Sequence, residues 1–259
     1  MSKVAIIAGY NKSWTSLYVA EELRLRNIKP SLIIICYPFT KNRLINVIRN
    51  RGLNAIKNYF LNKQTPSDKN VLVRKHLTNL NINSPSLRKW AKLNNVKVIS
   101  SKNINSEKSV NEIKKFNPDL TLYTGGGIIK KKFIYAANKK ILNAHSGLMP
   151  YVRGMSALEW SLLLNQKPGV TTHYIDQGID TGSILGFNEV KINANENLDS
   201  LRQKIVLTGC KNLVFYASQL LSDNSLNCKK ESPVGRQCFI ITKQLQQIAE
   251  LKLEKLKKY

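Results

Sequence analysis

Two uninterrupted apolar runs, residues 4–8 and 32–37, flank a segment whose apolar positions return every three to four residues. Apolar side chains at every position of a short run predict a strand covered on both faces. The segment between them, opened by Ser13 or Thr15 as cap and running to about Arg26, predicts a helix. The alternation continues downstream. Residues 87–93 and 110–116 read as helices, and 96–99 and 118–123 as strands, the latter running into Gly125-Gly126-Gly127. Lys140-Ile141-Leu142 reads as a short strand and 170–175 as another. Residues 156–164 predict an amphipathic helix with Ala157, Trp160, Leu163 and Leu164 inward, and Trp160 as a core residue. Val190-Lys191-Ile192 predicts a strand with one wet face, and 198–221 one or two helices. Residues 232–237 read as a connector and 241–256 as a basic amphipathic helix. Strands alternating with helices predict an α/β fold: a doubly wound, mostly parallel sheet with right-handed crossovers and helices on both faces. The expected division is a catalytic unit over 1–222, then a connector and C-terminal helix over 223–259.

One stretch interrupts the alternation. Residues 41–80 carry Lys41, Arg43, Arg49, Arg51, Lys57, Lys63, Lys69, Arg74 and Lys75 against Asp68 as the single acid. Leu44, Val47, Ile48, Leu53 and Ile56 have helical spacing, with a polar break at 64–70. The reading is a basic helical insertion over about 41–85: a solvated flap, or an arm for an anionic substrate.

Charge then narrows the partners. Forty-one basic and sixteen acidic residues give a net charge of +25. A polyanion such as tRNA, or a phosphorylated small molecule, fits that charge. So does a genome rich in Lys, Asn and Ile codons, although it does not explain the shortage of acids. The four cysteines, Cys36, Cys210, Cys228 and Cys238, form no CxxC pair. This argues against a zinc site or a disulfide framework and for a reducing compartment. The N-terminus lacks the pattern of a signal peptide and no run approaches a membrane span, so a cytoplasmic protein is expected. No spacing of His, Asp and Glu supports a metal site, and no Gly-x-Ser-x-Gly supports a hydrolase.

The chemistry concentrates at Asn143-Ala144-His145, followed by Pro150 and, further on, Ile179-Asp180-Thr181-Gly182. Residues two apart on an extended segment share a face, so Asn143 and His145 should point the same way near a strand end. An amide donor, an imidazole and a carboxylate suit acyl transfer, where donors stabilise an oxyanion and the carboxylate tunes the imidazole. A second candidate is the turn after Gly9. Asn11, Lys12 and Ser13 stand at a helix N-terminus that offers free N–H groups to a phosphate, or simply a capped helix start. His173 lies in the 170–175 strand as a structural or substrate-facing residue, and His76 reads as solvated.

These motifs resemble the formyltransferase family that uses 10-formyltetrahydrofolate, whose members act on methionyl-tRNA, glycinamide ribonucleotide or amino sugars. The matching elements are Asn143-Ala144-His145, Leu148-Met149-Pro150, Arg153-Gly154, Gly169-Val170-Thr171 and Asp176-Gln177-Gly178-Ile179-Asp180-Thr181-Gly182. They occur in order over residues 118–185. The resemblance implies a Rossmann-like core with Asn143, His145 and Asp180 as catalytic residues. Asn143 and a cationic His145 would donate to the formyl oxygen, and Asp180 would hold His145 and raise its pKa. It implies a pterin pocket at Tyr123, Gly125, Gly126, Gly127 and Ile128 and at Asp176, Gln177 and Gly178, with a tight strand-to-helix turn as the other reading of the glycine triplet. Read from its position alone, Asp176 either helps to hold the loop that carries Asp180 or simply caps a turn. Acceptor contacts fall to Asn11, Lys12, Ser13, Arg153 and Gly154, with a surface ion pair as the other reading of Arg153.

The expected reaction is formyl transfer from 10-formyltetrahydrofolate, without a metal, to a primary amine on a small, anionic acceptor, phosphorylated or nucleotide-linked. A methionyl-tRNA enzyme is the less favoured alternative, because too few residues follow position 222 for the C-terminal barrel of that branch. A non-catalytic folate- or RNA-binding protein is the other. A homodimer through the C-terminal helix is compatible with the pattern.

Overall fold

The computed structural model describes residues 2–36, 70–83, 85–222, 226–232 and 234–257. The first strand, β1 (Val4–Ala8), is followed by α1 (Trp14–Leu25) and β2 (Leu32–Cys36). Next come α2 (Val71–Asn79), α3 (Leu87–Leu93), β3 (Lys97–Ser101), α4 (Glu107–Phe116), β4 (Leu120–Tyr123) and α5 (Lys131–Ala136). β5 (Ile141–His145), β6 (Val152–Gly154), α6 (Ala157–Leu163), β7 (Gly169–Tyr174) and β8 (Ile184–Glu189) follow. The chain closes with α7 (Leu198–Ser222), β9 (Arg236–Cys238) and α8 (Lys243–Leu256).

Seven strands form one sheet in the order β3-β2-β1-β4-β5-β7-β8, with β6 and β9 forming a separate parallel pair. The first five strands of that order run parallel, and β7 and β8 are antiparallel additions at one edge. Strand periodicity sorts β1 onto two layers. Val4, Ile6 and Ala8 face α1, α2, α3 and α7, whereas Ala5 and Ile7 face α4 and α5. That two-sided burial is why β1 and β2 are continuously apolar. Ser13 caps α1, its Oγ accepting from the Ser16 amide at 3.2 Å.

Three expectations change: the 190–192 strand, the inward Leu164 and the plain connector. The predicted strand at 190–192 is not formed: β8 ends at Glu189, and Val190 and Ile192 pack on a cluster shared by α6, α7 and α8. Their alternation reflects that packing rather than a pleat. Residues 198–221 fall in one helix, and Leu164 lies beyond α6 and is exposed. The connector contains β9, which no local pattern announces. Of the expected helical insertion, α2 is seen; residues 41–69 lie outside the described residues. The four cysteines are free, with Cys36, Cys210 and Cys238 buried. Among the described residues, no helix is long and apolar enough to cross a membrane.

Candidate active site

Asn143 and His145 lie at the carboxyl end of β5, where parallel strands of an open sheet deliver their chemistry. The antiparallel β7 places His173 directly opposite Asn143, and Thr171 opposite His145. Opposed residues share a face, so the side chains meet. Asn143 Nδ2 stands 3.1 Å from His173 Nε2. The His173 Nδ1–H donates to the Tyr174 carbonyl at 2.9 Å, so in the neutral ring Nε2 accepts from Asn143. This fixes the amide orientation and leaves the second Asn143 N–H without a protein partner among the described residues.

Asp180 closes the group. Its Oδ2 accepts from the Gly154 amide at 2.8 Å and lies 3.3 Å from His145 Nδ1, while Oδ1 lies 3.6 Å from His173 Nε2. The residue adopts φ +49°, a left-handed conformation unusual outside glycine and Asn/Asp. The loop is held as expected: Asp176 Oδ1 accepts from the Gly178 amide at 3.1 Å and from the Thr181 hydroxyl at 2.6 Å. Burial pushes the Asp180 carboxyl upward. The contact with His173, the proximity of His145 and the Gly154 amide outweigh it and hold the pKa at about 2.

His145 departs from expectation twice. Its Nε2–H donates to the Val152 carbonyl at 3.0 Å and Nδ1 faces Asp180, so neither nitrogen is free to donate to a substrate oxygen in this rotamer. Asp180 does raise its pKa, but burial is the larger influence and the net shift is downward.

The β6 loop meets this group through Gly154. Its φ is +96°, and a Cβ there would stand 2.3 Å from the Cys238 carbonyl oxygen, so only glycine fits. Arg153 contributes to the frame rather than to a surface ion pair. Its guanidinium donates to the carbonyls of Gly235 at 2.6 Å and Ile179 at 3.4 Å.

Two cavities meet the group. One, of about 430 Å³, is lined by Tyr123, Gly127, Ile128, Asn143, Asp176, Gly178 and Asp180, all anticipated from sequence. It is also lined by His173, the substrate-facing one of its two readings, and by Met155 and residues 237–239, which no motif singled out. Tyr123 is half-buried there, its hydroxyl donating to the Gly127 carbonyl at 2.8 Å, and desolvation pushes its pKa up to about 12. Gly125 and Gly126 do not line the cavity. Both have positive φ and pack against Gly9 and Ile7, seating the loop. Gln177 faces a neighbouring cavity on the other side of its loop.

The second cavity, of about 340 Å³, reaches Asn143 and His145 from the side of α6 and α7 and includes Ser146, Ser156, Glu159 and Arg202. Glu159 and Arg202 pair within it. The three residues expected at the first turn lie apart from both cavities. Asn11 accepts from the Arg88 amide, Ser13 is the buried cap, and Lys12 is exposed. His76 is not simply solvated: its Nε2 lies 2.7 Å from Glu22. Trp160 is half-buried, and its Nε1–H donates to the Phe239 carbonyl at 2.8 Å.

Comparison with known proteins agrees with this architecture. The methionyl-tRNA formyltransferase of Finegoldia magna is 35% identical over 116 residues, which are 44% of this chain and 37% of that protein. That of Thermodesulfovibrio yellowstonii is 28% identical over 136 residues, 52% of this chain and 44% of that protein. The chain thus spans less than half of either relative. Among solved structures, a sugar N-formyltransferase from a Shewanella species shares the fold with a TM-score of 0.58 at 15% identity, covering 98% of this chain and 88% of that one. A phosphoribosylglycinamide formyltransferase from Bacillus halodurans gives 0.56 at 18%, covering 86% and 98%. The model of the formyl transferase family matches residues 42–215, a span that contains the whole Asn143, His145, His173 and Asp180 cluster, and the chain belongs to that family.

Proposed function

We propose that this protein transfers a formyl group from 10-formyltetrahydrofolate to a primary amine on a small acceptor. The observation that carries the reading is the convergence of Asn143, His145 and Asp180 between two cavities, one for each substrate.

The free N–H of Asn143 donates to the oxygen of the tetrahedral adduct formed when the amine adds to the formyl carbon. A positioned donor of this kind is worth on the order of 3 kcal/mol in the transition state. The Asp180 carboxylate, which lines the donor cavity beside Asn143, takes the proton that leaves the amine through a water and returns it to the departing N10. Cleavage of the bond from the formyl carbon to N10 then releases tetrahydrofolate, with N10 taking up a proton. Tyr123, Gly127, Asp176 and Gly178 hold the pterin end of the donor. The acceptor occupies the second cavity, where Ser146, Ser156, Glu159 and Arg202 suit a hydroxylated or anionic amine such as an amino sugar.

Support for a small acceptor comes from the second cavity, whose roughly 340 Å³ next to Asn143 and His145 is the size of a small amine's binding site. The deciding measurement is release of tetrahydrofolate from 10-formyltetrahydrofolate with separate pools of nucleotide-linked amino sugars, glycinamide ribonucleotide and charged initiator tRNA. Release with the amino-sugar pool, lost in Asp180→Asn, is expected. Release with tRNA alone would overturn the acceptor, and no release with any pool would overturn the activity.

A further inference from the structure

The cavity at Asp180 has an apolar rim that the catalytic cluster does not explain. Phe239, Met155 and Ile128 line it and are 68%, 55% and 70% exposed. Three large apolar side chains on the rim of one cavity form a surface built to be covered.

Phe239 is not exposed because its backbone is frayed. β9 pairs with β6 in the register Arg153 to Gln237 and Gly154 to Cys238. The Met155 amide donates to the Cys238 carbonyl at 3.0 Å, Trp160 donates to the Phe239 carbonyl, and the Ile241 amide donates to Ser156 Oγ at 3.2 Å. The chain is pinned before, at and after Phe239, and by the same β6 loop whose Gly154 amide holds Asp180. An aromatic presented on fixed backbone binds a flat ligand at low entropic cost. Residues 237–239 lie outside the 42–215 family match, so this wall comes from the C-terminal segment.

We infer that Phe239 is a donor-recognition residue, its ring forming with Met155 and Ile128 the surface on which the p-aminobenzoyl ring of the formyl-folate lies. The inference rests on the proposed function. The aryl ring is bonded directly to N10, and so is the formyl carbon. A formyl group placed at Asn143 and Asp180 therefore carries the aryl ring to the immediate surroundings of those residues. The exposed apolar groups of that cavity are these three.

The test measures affinity for 5-formyltetrahydrofolate and for 6-hydroxymethylpterin, which lacks the aryl ring, in the full chain and in Phe239→Ala and Phe239→Tyr. Loss of one aromatic contact predicts about tenfold weaker folate binding in Phe239→Ala, with pterin binding and Tm unchanged and Phe239→Tyr restored. In turnover, KM for the donor rises while KM for the acceptor holds. Folate binding by Phe239→Ala equal to that of the unaltered protein would overturn the assignment, as would an equal loss of both probes. If the unaltered protein binds the pterin but gains nothing from the aryl ring, the inference fails and the proposed function survives. If it binds neither probe, both fail.

Discussion

Asn143 and His173 stand directly opposite each other on antiparallel β5 and β7, with the amide nitrogen 3.1 Å from the imidazole Nε2. The ring is itself fixed by the Tyr174 carbonyl, so the tautomer of one residue dictates the orientation of the other. A 180° flip of the amide would set oxygen against a nitrogen lone pair, which the pairing forbids.

His173→Phe keeps the ring volume but removes that acceptor. The expected result is a fall in kcat of roughly a hundredfold, the scale of a small misplacement of a reacting group. KM for the donor should change little. Unchanged kcat would separate His173 from the orientation of Asn143.

Asp180→Asn removes the charge while keeping a side chain that tolerates the left-handed backbone at φ +49°. Turnover should fall by more than about a hundredfold with the fold retained. His145→Ala should do the same. Circular dichroism and steady-state rates on the same preparations check both, and full activity in His145→Ala would remove it from the chemistry.

The pH behaviour follows from two downward shifts. His145 resists protonation because it is buried, so its stabilising contribution is complete above the unfolded imidazole value near 6.5 and declines as pH falls below it. Asp180 contributes above the unfolded carboxyl value near 3.9 and loses that contribution as pH falls toward about 2. Imidazole NMR should place the His145 midpoint below 6.5. In Asp180→Asn it should move lower still, because the anion that favours the imidazolium is gone. An upward movement would contradict the pairing.

Gly154→Ala puts a methyl group 2.3 Å from the Cys238 oxygen at a backbone φ of +96°. Strain of this kind costs about 2 kcal/mol or more. For a chain of this size that lowers Tm by roughly 4–8 °C. The β6–β9 pair should loosen and donor affinity should fall with it, read by thermal melting and folate titration. A variant with wild-type Tm would show that the two strands are not packed as described.

Local chemistry determined much of this protein. Continuous apolar runs announced β1 and β2, because a strand buried on both faces has no polar side. Ser13 announced the start of α1, and the two-residue spacing of Asn143 and His145 announced their shared face. Asp180 was legible through its loop motif, which resembled a known family. Tertiary structure decided the rest. His173 became a partner of Asn143 only when antiparallel pairing set the register between β5 and β7. Arg153 became a brace because the carbonyls of Ile179 and Gly235, distant in sequence, converge on its guanidinium. The downward pKa shift of His145 is a property of burial, which no spacing encodes. Phe239 reached the cavity through a strand pairing across more than eighty residues of chain, and periodicity reports only the nearest turns of a helix or the next pleat of a strand.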